Sequence, residues 1–376
     1  MTRASVVMRG QIARGIGIPR ELYTSQELYE REVEAIFQTS WLLAGHESQL
    51  PAVGDYLTVE VGDESVIVAR SRSGLSAYAN VCRHRGARLV DPGCGQARIL
   101  ACPYHQWAYE MDGSMRGAPK MPPGFDRTAY PLARVAVETW QGLVFVNLAQ
   151  DPAPLSSLLA PAEQLILPFD LAEASVAHTI TYDVAANWKI VWENAQECYH
   201  CSANHPELMR TFDLTSGGIE GVYRSADRRV QVTPLPLRKG AVSLTVDGDA
   251  ACSLPMGAFG AGREPYTAAL HMKPTFAVVC CPDYAVVLRE RPLAIDRTEV
   301  TMTWLVRAGA EEGRHYDLDN LIKVWDQTNV QDWALCERTQ LGVRSRFFQP
   351  GPLSGDEPSV AGFHQAYADL LAAAGL

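Results

Sequence analysis

No stretch of these 376 residues is apolar for long enough to cross a bilayer. The longest, such as Phe276 to Cys281, fall far short of the ~20 residues a spanning helix needs. Met1-Thr2-Arg3 is not followed by an apolar h-region, so no secretory signal is expected, and neither is a membrane partner. Basic charge is also short: 33 Lys and Arg stand against 43 Asp and Glu, for a net charge of −10. Nothing would neutralise phosphates wholesale, which excludes nucleic acid as a partner; a cationic substrate or a basic redox partner is compatible. No repeat or low-complexity segment occurs. The nine cysteines are odd in number and scattered, not framed as a disulfide scaffold, so a reducing cytoplasm is the expected location. There is no flavin- or nicotinamide-binding domain and no plant-type ferredoxin spacing (C-x₄-C-x₂-C), so electrons, if used, must come from another protein.

What is present is an ordinary globular mixture, 47% hydrophobic and 20% charged, long enough for about two domains. Two cysteine–histidine pairs stand out: Cys82-Arg83-His84, and Cys102-Pro103-Tyr104-His105 after 17 intervening residues. Two thiolates and two imidazoles from two loops suit a Rieske [2Fe–2S] centre, with Cys₂ on one iron and His₂ on the other. A Cys₂His₂ zinc site uses the same ligand types, but zinc spacings usually open with C-x₂₋₄-C. Gly86 and Pro103 punctuate the loops, and Trp107 and Tyr109 offer apolar cover.

Residues 24–37 carry helical periodicity, with Thr24 and Glu27 in a capping-box pattern. From about Trp41 to Leu148 the pattern becomes β-rich, with alternation over 56–61, 65–70 and 75–81 and a closing run at 142–147. Asp151-Pro152-Ala153-Pro154 reads as a linker. Beyond it, 188–200 reads as a helix, strands are expected at 242–246, 276–281, 285–289 and 300–306, and helices at 317–340 and 360–373. The expected fold class is α+β: a β-rich domain at 41–150, a domain of helices on an antiparallel sheet at 151–376, and an N-terminal helical segment, 1–40, packing on the latter.

The second dense cluster is Glu197-Cys198-Tyr199-His200-Cys201-Ser202-Ala203-Asn204-His205-Pro206. A spacing of three puts Glu197 and His200 on one face of a helix, and Pro206 should break the helix at His205 and swing that imidazole back. Two histidines and a carboxylate around open positions form the facial triad of non-haem Fe(II) oxygenases. Asp332 interrupts a largely apolar stripe of Leu318, Ile322, Trp325, Asn329 and Cys336, and a buried carboxylate needs a metal or strong donor. Asp326 and Glu337 fall on the opposite stripe with Asp319 and Lys323 and read as solvated. Two competitors use neighbouring residues: a zinc site built on Cys198-x-x-Cys201, and a di-iron site with Glu312 to His315 as a second Glu-x-x-His. The latter copy sits in a loop-like run.

With these motifs in place, the chain resembles the catalytic α-subunits of Rieske non-haem iron oxygenases from about residue 25 to 370. The resemblance implies Cys82, His84, Cys102 and His105 as cluster ligands, and His200, His205 and Asp332 as ligands of a mononuclear Fe(II). It also implies a catalytic role for Glu197, joining the cluster of one subunit to the iron of the next in a homotrimer. The stretches 187–194, 235–248, 325–333 and 345–351 are similar to choline, glycine-betaine and stachydrine monooxygenases. The function so implied is a terminal oxygenase that takes O₂, and electrons from an NAD(P)H-dependent reductase with or without a ferredoxin. It would hydroxylate or N-demethylate a small quaternary-ammonium compound. The alternative is ring hydroxylation of an aromatic or alicyclic compound.

Overall fold

Period-two burial builds the first sheet. In β2 (Asp55–Val61), Leu57, Val59 and Val61 face inward while the residues between them are half-exposed. It lies among β1 (Leu42–His46), β3 (Glu64–Ser71), β4 (Gly74–Ala79), β5 (Cys94–Gln96), β9 (Arg134–Trp140) and β10 (Leu143–Asn147). Their order is β1-β10-β9-β4-β3-β2-β5, with every pair antiparallel. A small sheet of β6 (Leu100–Ala101), β7 (Ala108–Tyr109) and β8 (Met115–Gly117) completes this unit. The structure, a computed structural model, describes residues 3–214, 223–257 and 265–376. It divides into two compact units, Phe37–Leu155 and a second made of Met1–Ile36 with Ser156–Leu376.

The second unit is built on β11 (Ala174–Val184), β12 (Tyr223–Arg224), β13 (Val230–Pro234), β14 (Ala268–Met272), β15 (Phe276–Cys280), β16 (Ala285–Ala294) and β17 (Arg297–Arg307). They form one antiparallel sheet in the order β11-β17-β16-β15-β14-β13-β12. Its helices are α1 (Arg3–Ile12), α2 (Arg20–Thr24), α3 (Gln26–Glu32), α4 (Leu155–Ile166), α5 (Trp188–Asn194), α6 (Cys201–Asn204), α7 (Leu318–Val343) and α8 (Pro358–Ala373). This is the expected α+β class. No helix among the described residues is long and apolar enough to cross a membrane.

Several local expectations are corrected. The segment 24–37 is not one helix: α2 ends at Thr24, and Ser25, not Thr24, caps α3 by accepting from Leu28 N–H at 3.3 Å. Thr24 instead turns its hydroxyl back onto Arg20 C=O. No strand forms at 242–246, because Ser243 donates to Asp283 and Thr245 donates to the Asp249 carbonyl, so side chains satisfy the local polar groups. The helix from Trp188 stops at Asn194, six residues early. Asp326 and Glu337 are half-buried and not simply solvated: they accept from Tyr182 hydroxyl at 2.5 Å and Ala185 N–H at 3.2 Å, fastening α7 to β11 and the turn after it. Cys198 and Cys201 are joined as a disulfide, whereas the other seven cysteines are free.

A fully buried ion pair ties three helices of this unit together. Lys189 (α5) donates to both oxygens of Glu32 (α3) at 2.8 and 3.0 Å, and both side chains are 0% exposed. Trp188 Nε1–H and the Tyr367 hydroxyl (α8) also donate to Glu32, and the ammonium lies 4.7 Å from the Trp188 ring centre. Three groups donating four hydrogen bonds satisfy a carboxylate that would otherwise be too costly to bury. Glu32→Gln should therefore lower unfolding stability by about 3–5 kcal/mol, because it leaves Lys189 charged and unpaired. The double variant Glu32→Leu/Lys189→Met should regain most of that loss in urea unfolding. A single variant as stable as wild type would refute this role.

Candidate functional site

In the first unit, the two cysteine–histidine loops are copies of one turn. In each, the N–H four residues beyond the cysteine donates to the cysteine carbonyl at 3.0 Å: Gly86 to Cys82, and Gln106 to Cys102. That fourth residue is left-handed in both, at φ 78° for Gly86 and 60° for Gln106. Cys82 and Cys102 are both 2% exposed, and the rings of His84 and His105 meet edge to face with centres 4.7 Å apart. Trp107 stacks on His84 at 4.6 Å, and the Tyr109 hydroxyl sits 3.5 Å from Cys82 Sγ while accepting from Arg83 N–H. Burial and the Cys82 sulfur push the Tyr109 pKa up, so it remains a neutral donor. His105 Nδ1 is buried without any hydrogen-bond partner, as expected of an atom kept for a metal. The four residues fit a Rieske cluster.

In the second unit, Glu197 and His200 meet through a turn and not along a helix face. Glu197 accepts from Tyr199 and His200 N–H groups and from His200 Nδ1 at 2.6 Å. His200 then starts the short helix α6, and the chain leaves helical geometry at His205, directly before Pro206. His200 and His205 Nε2 each lie 3.0 Å from one oxygen of Asp332, Oδ1. The His205 contact is misaligned for a hydrogen bond, so that buried nitrogen has no hydrogen-bond partner. Asp332 is 13% exposed on α7, at the interruption in the apolar stripe.

The outward nitrogens are tied as well. His205 Nδ1 meets Gln331 Oε1 at 2.8 Å, and Gln331 donates onward to Glu207 at 3.0 Å. With Glu197 and Gln331 as acceptors, both rings keep a proton on Nδ1 and direct Nε2 inward, the atom a metal would take. Asn194, at the end of α5, donates to Asp332 at 3.1 Å. Gln331 and Asn194 are positioning residues that sequence reasoning missed; adjacency to Asp332 was the only signal for Gln331. Burial alone would depress the His200 pKa, but Asp332 and Glu197 outweigh it and raise it to about 9. Burial would raise Asp332, but the two imidazoles hold it below the usual carboxylate range. An inward-facing N₂O set with one orphaned nitrogen fits a mononuclear iron. Cys201 Sγ is held in the disulfide, so the zinc alternative loses its thiolates. Glu312 and His315 lie in a loop, where His315 Nδ1 accepts from Glu311 N–H.

A cavity of about 160 Å³ opens beside this triad. Phe212, Trp325 and Trp333 contribute aromatic faces, while Gln196, Gln231 and His271 contribute polar groups. The lining contains no Lys or Arg among the described residues.

Residues 171–373 match the family described as ring hydroxylating alpha subunit (catalytic domain), and residues 40–141 match the Rieske [2Fe-2S] domain. A glycine betaine monooxygenase oxygenase subunit of Pseudomonas aeruginosa is 36% identical over 90% of this chain and 84% of its own length. The fold is shared with a quaternary ammonium Rieske monooxygenase solved with L-carnitine (TM-score 0.77, 24% identity, 94% of this chain and 95% of that one). It is shared equally with naphthalene 1,2-dioxygenase from a Rhodococcus species (TM-score 0.80, 17% identity, 99% of each chain). The chain thus belongs to the Rieske-type ring-hydroxylating oxygenase α-subunits, proteins that carry a [2Fe–2S] cluster and a mononuclear iron and use O₂.

Proposed function

We propose that this oxygenase hydroxylates an N-methyl carbon of a small quaternary-ammonium compound, with Cys82, His84, Cys102 and His105 holding the cluster and His200, His205 and Asp332 the iron. The observation that carries the substrate reading is the cavity wall. Gln196, both of whose amide atoms lack partners, Gln231 Oε1 and His271 Nδ1 are buried and unsatisfied there. A hydrocarbon would leave them so, at a cost of ~1–3 kcal/mol each, whereas a polar substrate answers them. Aromatic faces and the lack of lining cations favour a positively charged head. The volume lies below the ~300–1,000 Å³ of drug-sized sites, so the substrate is compact.

When bound, an iron held by His200, His205 and Asp332 would supply O₂ activation, and a cluster held by Cys82, His84, Cys102 and His105 would supply one-electron transfer. The chain's own groups do the rest. Asn194 and Gln331 hold Asp332 and His205 in place, and Glu197 fixes the His200 tautomer. Apolar walls from Leu235, Leu244, Val279 and Leu288 exclude water. Overall, R–N⁺(CH₃)₃, O₂, two electrons and two protons give R–N⁺(CH₃)₂CH₂OH and water. The hydroxymethyl product then splits into R–N(CH₃)₂, formaldehyde and a proton. Electrons come from an NAD(P)H-dependent reductase, with or without a ferredoxin, in the cytoplasm. Subunits close head to tail into a homotrimer, so that Glu197 joins the iron of one to the cluster of the next.

Formaldehyde release with a surrogate reductase should depend on small onium compounds and not on naphthalene; the reverse pattern would favour the ring-hydroxylating reading. Asp332→Ala should keep the Rieske spectrum but reduce iron from three to two per chain and abolish turnover. Unchanged iron content would mean that another carboxylate completes the triad. Glu197→Gln should load both centres yet slow cluster reoxidation by O₂ and substrate about 10–100-fold, because an amide accepts on one side only. Normal single-turnover kinetics would remove the bridging role. Since iron must displace the proton that His200 holds up to about pH 9, Fe(II) affinity of the iron-free site should rise with pH. The slope is about tenfold per unit from pH 7 to 8.5, readable by anaerobic titration.

A further inference from the structure

Cys198 and Cys201 bracket an iron ligand, and the function described so far makes no use of them. Their disulfide, the one such bond among the described residues, has His200 inside its loop. It spans a sequence separation of 3, where a cross-link removes the least chain entropy from the unfolded state, so it does little to staple the fold. Both cysteines line the cavity: Cys198 is half-buried, whereas Cys201 is 3% exposed. Cys201 Sγ lies 4.0 Å from His200 Nε2, the nitrogen aimed at the metal position. Ligand atoms of His200, Cys201 and His205 all fall within 4.8 Å of one another.

Oxidation state decides what that sulfur can do. In the disulfide it carries no thiolate, and the metal position has His200, His205 and Asp332 as its donors. Reduction adds a fourth. Two imidazoles, a carboxylate and a thiolate make a closed tetrahedral set, which suits zinc and leaves no place for O₂. Zinc at ~2.0–2.3 Å from each donor holds neighbouring donors ~3.5 Å apart, so a small turn of the Cys201 side chain completes the set once the S–S bond is gone. The step is thiol–disulfide exchange. A dithiol attacks the more accessible sulfur, that of Cys198, to form a mixed disulfide, and the Cys201 sulfur leaves as thiolate. The second thiol of the reductant then closes its own disulfide and releases Cys198. Two electrons and two protons pass from the dithiol to the protein, and Zn²⁺ displaces the Cys201 proton on binding.

We propose that Cys201 is the fourth ligand of a zinc site that overlaps the iron site, and that its disulfide with Cys198 masks it. The inference rests on the reading of His200, His205 and Asp332 as metal ligands and is independent of the substrate. The oxidised protein keeps the metal position open for iron and O₂. The reduced protein retains zinc there and is blocked.

The test uses the full chain with its cluster loaded and the mononuclear site stripped, either oxidised or reduced with dithiothreitol and desalted anaerobically. Thiol titration should count two more thiols per chain after reduction. Zn²⁺ affinity, read by competition with a chromophoric chelator, should rise about tenfold or more, and Co²⁺ should gain a thiolate charge-transfer band in difference spectra. Cys198→Ser should show the high affinity and the band without reductant, and Cys201→Ser neither in any state. Release of two thiols with no change in either readout would overturn the proposal, as would a band that survives Cys201→Ser. If the purified protein already carries the two thiols, the band must be present at once and vanish on oxidation with diamide; a band indifferent to oxidation overturns the masking. Should a variant fail to load its cluster, the two states of wild type decide alone. Absence of Co²⁺ binding in both states overturns the triad and this proposal together, whereas equal binding without the band overturns only the role of Cys201.

Discussion

One carboxylate oxygen, Asp332 Oδ1, lies 3.0 Å from two imidazole nitrogens, and much of the catalytic unit is arranged to make that convergence tolerable. Three like-aimed polar groups in an apolar surround repel or go unsatisfied unless each is held by a partner. Glu197 holds His200 and Gln331 holds His205 from behind, while Asn194 donates to the same Asp332 Oδ1 that the two imidazoles approach. The holders come from the end of α5, the turn after it and α7, which is why those elements pack together. A change in any of the three would be felt at the inner face as a rotated ring or a displaced oxygen.

The chemistry of this protein was more legible than its geometry. Residue types at short spacings carry ligand identity, so Cys82, His84, Cys102 and His105 stood out without any knowledge of the loops. Asp332 drew attention because a carboxylate breaks an apolar stripe, a signal that survives in one dimension, and it lies against His200 and His205. The same reasoning misplaced Asp326 and Glu337, because helical periodicity shows which residues share a face but not what lies against it. There, Tyr182 and the turn at Ala185 supply donors that no pattern in α7 could announce. The Glu197–His200 pairing was expected on a helix and is made by a turn instead. A spacing of three suits both, and only the carboxylate capping of the local N–H groups distinguishes them. Gln331 was missed for a related reason: its significance lies in the outward nitrogen of His205, which is a relation in space.

The cluster loops show a different economy. Both turns demand a left-handed residue four positions after the cysteine, and Gln106 adopts it without being glycine. Its N–H is engaged by the Cys102 carbonyl, so the loop imposes the conformation on a residue that would not choose it. Rigid loops suit electron transfer, since a site that changes little between oxidation states has little to reorganise.

The strand that opens the cluster-bearing unit and the strand that closes it are partners. β1 and β10 run antiparallel, with Leu42 opposite Val146 and His46 opposite Leu143. Entry and exit of the unit therefore lie side by side at one edge of its sheet, and the flanking sequence on both sides belongs to the other unit. A continuous segment with adjacent ends has the anatomy of a cassette, which can be inserted into a host chain without disturbing the host's own folding. By that logic Phe37–Leu155 is a transplantable module, and exchange of it between related chains offers a route to new pairings of electron donor and substrate.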